Sequence, residues 1–116
     1  MWCEMPVTLE AARKAKEFGM LVCMGAPNYG RGESHCGNLS AREAFAEGLV
    51  DMLCSDYHFP SLLGSAVRMI ASGTASCDVA ALIAFNPARH LGRDAEFGSI
   101  EPCKRADLVA FQSRKG

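Results

Sequence analysis

The sequence predicts an α/β fold built on a parallel sheet, and three observations carry this prediction. Residues 20–24 form a continuous apolar run of strand length, as in strands that are buried on both faces. A second run of strand length covers residues 49–54, and helical patterns lie between and after the two runs. Polar, titratable side chains follow both runs, where α/β barrels place their functional residues.

Capping signals predict the first two helices. Thr8 can cap a helix that runs to Phe18, and Gly19 follows as its stop. Residues 28–39 are rich in glycine and polar side chains and are predicted to form a loop. Ser40 and Glu43 then have the spacing of a capping box, which predicts a helix to about residue 47 and a stop at Gly48.

Two further helices and a different tail are predicted after the second strand. Pro60 starts a helix over residues 62–72, and Gly73 ends it. Ser76 is expected to cap the next helix, in which Val79, Leu82 and Ile83 form an apolar stripe until residues 86–89 break it. Residues 97–100 and 106–111 are predicted to be short β-like segments around a turn at 101–104.

Composition and charge exclude several classes of protein. The 116 residues are 49% hydrophobic and 22% charged, which is typical of a globular domain rather than a disordered chain. Twelve basic against thirteen acidic residues leave no basic excess, so we expect no nucleic-acid partner. The absence of a long apolar run or a signal-peptide pattern predicts no membrane association and a cytoplasmic location.

Six cysteines are spread along the chain without a CxxC pair, so a zinc knuckle or a thioredoxin-like motif is excluded by spacing. Cys23 and Cys54 lie in the apolar strand runs, where a free cysteine behaves as a small hydrophobe. We expect all six to be reduced thiols.

Asp56 is the strongest candidate for chemistry. It follows the second strand, where its carboxylate could bind a divalent metal and accept a proton from water. The alternative is a structural role in which it caps the following helix or binds a loop amide. His35, in the polar loop, could bind metal or phosphate or have no role, and Arg31 in the same loop could bind an anionic substrate.

The last third of the chain carries a known signature: Asn86-Pro87-Ala88-Arg89, Leu91-Gly92, and the run from Gly98 to Val109. It resembles the closing segment of amidohydrolase-superfamily enzymes. The resemblance implies the C-terminal part of a (β/α)₈ TIM-like barrel, about strands six to eight. Residues 1–93 would supply its βα units, and residues 94–116 would return to a small β-sandwich.

A narrower resemblance rests on four segments: residues 4–12, Met24-Gly25-Ala26-Pro27-Asn28, Arg31-Gly32-Glu33-Ser34-His35-Cys36-Gly37-Asn38, and Ser55-Asp56-Tyr57. They are similar to those of the phosphonate-pathway diphosphatases of this superfamily. This implies metal-assisted hydrolysis that releases pyrophosphate from a ribose 5-triphosphate, a small phosphorylated substrate. It also implies that Asp56 is metal ligand and catalytic base, and that Glu4 ends strand six. The implied substrate-binding residues are His35, Asn38, Arg31 and Asn28.

What the resemblance lacks is as informative as what it includes. No His-x-His metal pair occurs, and a barrel of this type takes about 250 residues. We therefore expect a fragment of an enzyme that uses a divalent metal, zinc or similar, with the isolated chain binding none stably and being inactive. The alternatives are a fragment of another amidohydrolase, a deaminase or deacetylase, and a non-catalytic module that completes its open sheet edges by forming a homo-oligomer.

Overall fold

A computed structural model describes residues 1–32 and 37–112 of the chain. The strands and helices are β1 (Trp2–Glu4), α1 (Leu9–Glu17), β2 (Leu21–Gly25), α2 (Ala26–Arg31), α3 (Ala41–Ala46), β3 (Met52–Cys54), α4 (Pro60–Ala71), α5 (Ser76–Ala80), a π-helical turn (Ala81–Phe85) and α6 (Asn86–His90). None of the helices in the described ranges has the length and apolarity needed to cross a membrane.

The predicted parallel sheet is present, with three strands in the order β1-β2-β3. Both neighbouring pairs are parallel, with Glu4 beside Cys23 and Gly25 beside Cys54. β2 is buried from Val22 to Gly25, which confirms the two-sided burial predicted from its continuous apolar run. β3 begins at Met52, later than predicted, because the chain before it belongs to the exit from α3: the amide of Leu49 donates to Ala44 O.

The capping signals of the first helices are confirmed. Thr8 Oγ1 accepts a hydrogen bond from the amide of Ala11, and Gly19 follows α1 with φ +70°. Ser40 Oγ accepts from the amide of Arg42 at the start of α3. The prediction that Ser76 caps its helix is wrong, because Ser76 is already the first residue of α5 and Ala75 occupies the cap without a side-chain hydrogen bond.

The segment predicted as a loop over residues 28–39 begins as a helix instead. Helix α2 starts directly after β2, with Pro27 in its first turn, where a missing amide hydrogen costs nothing. Tyr29 and Pro27 are buried, so packing favours a helix here although the composition of the segment is rich in glycine. Gly32, at φ +85°, then ends the helix.

The two β-like segments predicted in the tail do not form strands in the described part of the chain, residues 97–112. A short strand needs a ladder partner, and no described strand lies beside these segments. The turn at 101–104 is present, since the amide of Lys104 donates to Glu101 O. Ile100, Leu108 and Val109 are left exposed.

The predicted break at residues 86–89 is a change of helix type. The amide of Asn86 donates to Ala81 O, five residues back, which makes the π-helical turn just before Pro87. Asn86 Nδ2 also donates to Asp51 O at 2.8 Å, which fixes the start of α6 to the chain entering β3. Val79 and Leu82 are buried, as the predicted stripe requires.

Candidate functional site

The carboxyl ends of the three strands meet at one edge of the sheet. Glu4, Gly25 and Cys54 are the last residues of the strands, and Asp56 follows two residues after β3. Asp56 adopts a left-handed backbone conformation with φ +52°. Its Oδ2 lies 3.6 Å from the point that a Cβ atom on Gly25 would occupy. The carboxylate therefore lies over the end of the neighbouring strand.

One form of the structural alternative for Asp56, in which it caps the following helix, is not what the fold shows. The cap position of α4 is Phe59, and this helix start has no side-chain cap hydrogen bond. Asp56 thus stands at the carboxyl edge of the sheet without capping α4, and its role as metal ligand and base stays a prediction.

Two cysteine thiols, those of Cys23 in β2 and Cys54 in β3, lie close to this edge of the sheet. Cys23 and Cys54 form a side-chain hydrogen bond between adjacent strands, and this bond lowers the pKa of Cys54 to about 7. Burial opposes that shift, while the backbone amide of Asp56 supports it. The same bond and burial raise the pKa of Cys23. From the sequence, both cysteines were expected to behave as core hydrophobes, because their proximity depends on the pairing of β2 with β3.

The donor groups at this edge do not form a metal centre by themselves. Among residues 1–32 and 37–112, no three histidine, cysteine or carboxylate side chains converge in a way that could hold a metal ion.

Arg31 belongs to a cleft between α2 and α4. It ends α2, and its Nη1 donates to Tyr57 Oη at 2.7 Å. The cleft has a volume of about 460 Å³. The residues that line it are Pro27, Gly30, Arg31, Tyr57, His58, Pro60, Ser61, Gly64, Ser65 and Arg68.

Arg68 is the cleft residue that sequence reasoning missed. Its Nη1 makes a short hydrogen bond to Gly30 O, which holds the side chain against the end of α2. Arg31 and Arg68 are far apart in the sequence, and only the packing of α2 on α4 brings them to one cleft. No local pattern could have indicated this pairing.

The remaining predicted substrate-binding residues fall into different places. Asn28 Nδ2 donates to Leu39 O, and its Oδ1 accepts from the amide of Ala41, so this side chain fastens the start of α3. Asn38 is exposed in the segment before Ser40. His35 lies outside the described residues. Substrate binding by all three stays a prediction.

Comparison with known proteins identifies the family to which the chain belongs. The model of the "Amidohydrolase family" matches residues 8–115. The chain is also 43% identical over 109 residues to the alpha-D-ribose 1-methylphosphonate 5-triphosphate diphosphatase of Escherichia coli (strain K12). That match covers 91% of the chain but 29% of the relative, so the chain spans less than a third of the relative's length. No solved structure matches the chain. The family match over nearly the whole sequence shows that this chain belongs to the amidohydrolase family.

Proposed function

We propose that this chain is the carboxyl-terminal part of a barrel hydrolase that releases pyrophosphate from a ribose 5-triphosphate. Residues 1–93 would supply barrel strands six to eight, and residues 94–116 would return to a β-sandwich. The E. coli relative that supports this substrate is the alpha-D-ribose 1-methylphosphonate 5-triphosphate diphosphatase. The observation that carries the proposal is the position of the Asp56 carboxylate over the carboxyl end of β2, where barrel enzymes do their chemistry.

Asp56 would act as a general base. Its carboxylate accepts a proton from the water that attacks phosphorus, and the bond to the departing pyrophosphate breaks. Arg31, Asn28, Asn38 and His35 would contact the phosphorylated substrate. The family resemblance implies a divalent metal, but the described residues bring no three ligands together, so we derive no step through it.

The isolated chain is expected to be inactive. In the described part of the chain, β1 and β3 are edge strands, each with only β2 as a partner. A barrel has no such edges, and its site is assembled from loops after several strands. One carboxylate at one edge cannot reproduce that arrangement.

A chimera tests the proposal. The segment of the E. coli relative that matches this chain is replaced by residues 1–116, and pyrophosphate release from the relative's triphosphate substrate is measured. We expect turnover by the chimera, none by the chain alone, and a loss of about a hundredfold or more with Asp56→Asn. A folded chimera that is inactive on the triphosphate but deaminates or deacetylates other substrates would replace this function with the corresponding alternative.

A second candidate is a module that assembles with copies of itself. The observations that favour it are the open sheet and exposed apolar side chains: Phe59 and Ile100 are more than 80% exposed. Light scattering on the purified chain tests this candidate, because a discrete oligomer supports it and a folded monomer contradicts it.

A further inference from the structure

We infer that the cleft between α2 and α4 binds the diphosphate part of the substrate through Arg31 and Arg68. The identification of this anion as part of a substrate rests on the proposed function. The binding of a diphosphate in the cleft rests on the geometry of the cleft itself. The two can therefore fail separately.

The described residues that line the cleft carry charge of one sign. Among its described lining residues, the ionisable side chains are those of Arg31, Tyr57, His58 and Arg68, and no carboxylate is present. Neither arginine forms an ion pair with a described residue. A guanidinium keeps its charge at every physiological pH, so two of them on one cleft attract an anion with more than one negative charge.

Both guanidinium groups are held in place before any anion binds. Arg68 donates to Gly30 O, and Arg31 donates to Tyr57 Oη at 2.7 Å. Each guanidinium has five N–H donors, so one such bond leaves a fork that matches the oxygens of a phosphate. Because the Tyr57 oxygen accepts from Arg31, its own O–H is directed to another acceptor, and a phosphate oxygen in the cleft would serve.

The shape of the cleft suits the same ligand. Its volume of about 460 Å³ lies in the range of small-molecule sites. Pro60 and Ser61, in the first turn of the 12-residue helix α4, line the cleft and place the positive end of the helix dipole beside it.

Calorimetric titration with pyrophosphate tests the inference at fixed ionic strength. It is run on the chain and on the Asp56→Asn chimera, so that a folding defect of the isolated chain does not remove the test. We expect pyrophosphate to bind more tightly than orthophosphate. Arg31→Gln and Arg68→Gln should each weaken pyrophosphate binding by about tenfold or more.

Two controls separate the cleft from general electrostatics and from unfolding. Arg13→Gln makes the same charge change on α1, outside the cleft, and should leave binding unchanged. Tyr57→Phe removes the hydroxyl that accepts from Arg31 Nη1, and should weaken binding about threefold while near-UV circular dichroism stays unchanged. Equal losses in Arg13→Gln and the cleft variants, or no binding at all, would overturn the inference.

The outcomes also separate this inference from the proposed function. Arginine-dependent pyrophosphate binding together with an inactive chimera supports the cleft and contradicts the function. An active chimera whose KM is unchanged by Arg31→Gln and Arg68→Gln supports the function and contradicts the cleft.

Discussion

The Asp56 carboxylate lies beside Gly25 at the end of β2: its Oδ2 is 3.6 Å from the position that a Cβ atom on Gly25 would occupy. The backbone of Gly25 is ordinary, with φ −77° and ψ 127°, so any residue could adopt it. What this glycine supplies is space beside the carboxylate. A larger side chain would contact Asp56 without straining the backbone of β2.

The first prediction compares two substitutions of Gly25 in the chimera. Gly25→Ala places its Cβ 3.3 Å from Met5 Cε, a flexible tip that can move, and should change the rate of pyrophosphate release by less than about threefold. Gly25→Val adds two methyl groups toward Asp56 and should lower the rate about tenfold or more, because small misplacements of a catalytic group are costly. Equal rates for the two variants would show that the catalytic role of Asp56 does not depend on the space beside Gly25.

Local signals were sufficient where capping and apolar runs decide the structure. Thr8 and Gly19 bound α1 as predicted, and β2 differs from its predicted range by one residue at each end. The composition of residues 28–39 indicated a loop, but buried Tyr29 and Pro27 favour a helix over the first part of that segment. Long-range packing, which no local pattern reports, decided this element.

The candidate site likewise has one part that local sequence predicts and another that depends on long-range packing. The position of Asp56 just after a strand could be predicted because an apolar run precedes it, which is a local relationship, while its catalytic role stays a prediction. The cleft could not be predicted, because Arg68 reaches Gly30 only through the packing of α4 on α2. The bond between Cys23 and Cys54 likewise depends on the strand register rather than on either strand's sequence.

The second prediction concerns Asp51, which joins α1 to the sheet. Its carboxylate accepts from Lys16 Nζ at 2.6 and 2.7 Å and from the amide of Val22 at 2.8 Å. Asp51→Ala leaves this amide and the half-buried ammonium without their acceptor and should lower the free energy of unfolding by about 2 kcal/mol. Urea unfolding measures the change. Glu17→Ala, which breaks only an exposed pair with Lys14, should cost less than about 0.5 kcal/mol.

A cost for Asp51→Ala as small as that for Glu17→Ala would contradict this account. Asp51→Asn refines the comparison, because the amide oxygen can still accept from Val22 while the charge is lost. Its cost should fall between those of the other two variants.

The third prediction is a pH dependence at Cys54. The hydrogen bond from Cys23 lowers the pKa of Cys54 to about 7, so its reactive thiolate forms as the pH rises through 7. Alkylation of Cys54 by iodoacetamide, followed by mass spectrometry, should reach half its maximal rate near that pH. Because the folded pKa is lowered, the stability contributed by the Cys54 thiolate is fully present above the ordinary thiol pKa of 9.0 and is lost as the pH falls through about 7.

Cys23→Ala is the matched control for the thiol pair. It removes the hydrogen-bond donor, so the pKa of Cys54 should rise and its alkylation at pH 7 should slow. If Cys23→Ala leaves the titration midpoint unchanged, the low pKa belongs to another group.

The fourth prediction separates crowding from backbone strain in the tail. A Cβ on Gly98 would lie 2.6 Å from Ala88 Cβ and 3.1 Å from Ala84 O, and the φ of Gly98 is +96°. Gly98→Ala should therefore cost about 2 kcal/mol or more and speed hydrogen exchange of the Arg105 amide, which donates to Glu96 O. Gly92 also has a positive φ, +67°, but a Cβ there meets no atom within 4 Å, so Gly92→Ala should cost only about 1 kcal/mol. If both variants exchange the Arg105 amide at the wild-type rate, the packing of Gly98 on Ala88 does not hold the tail.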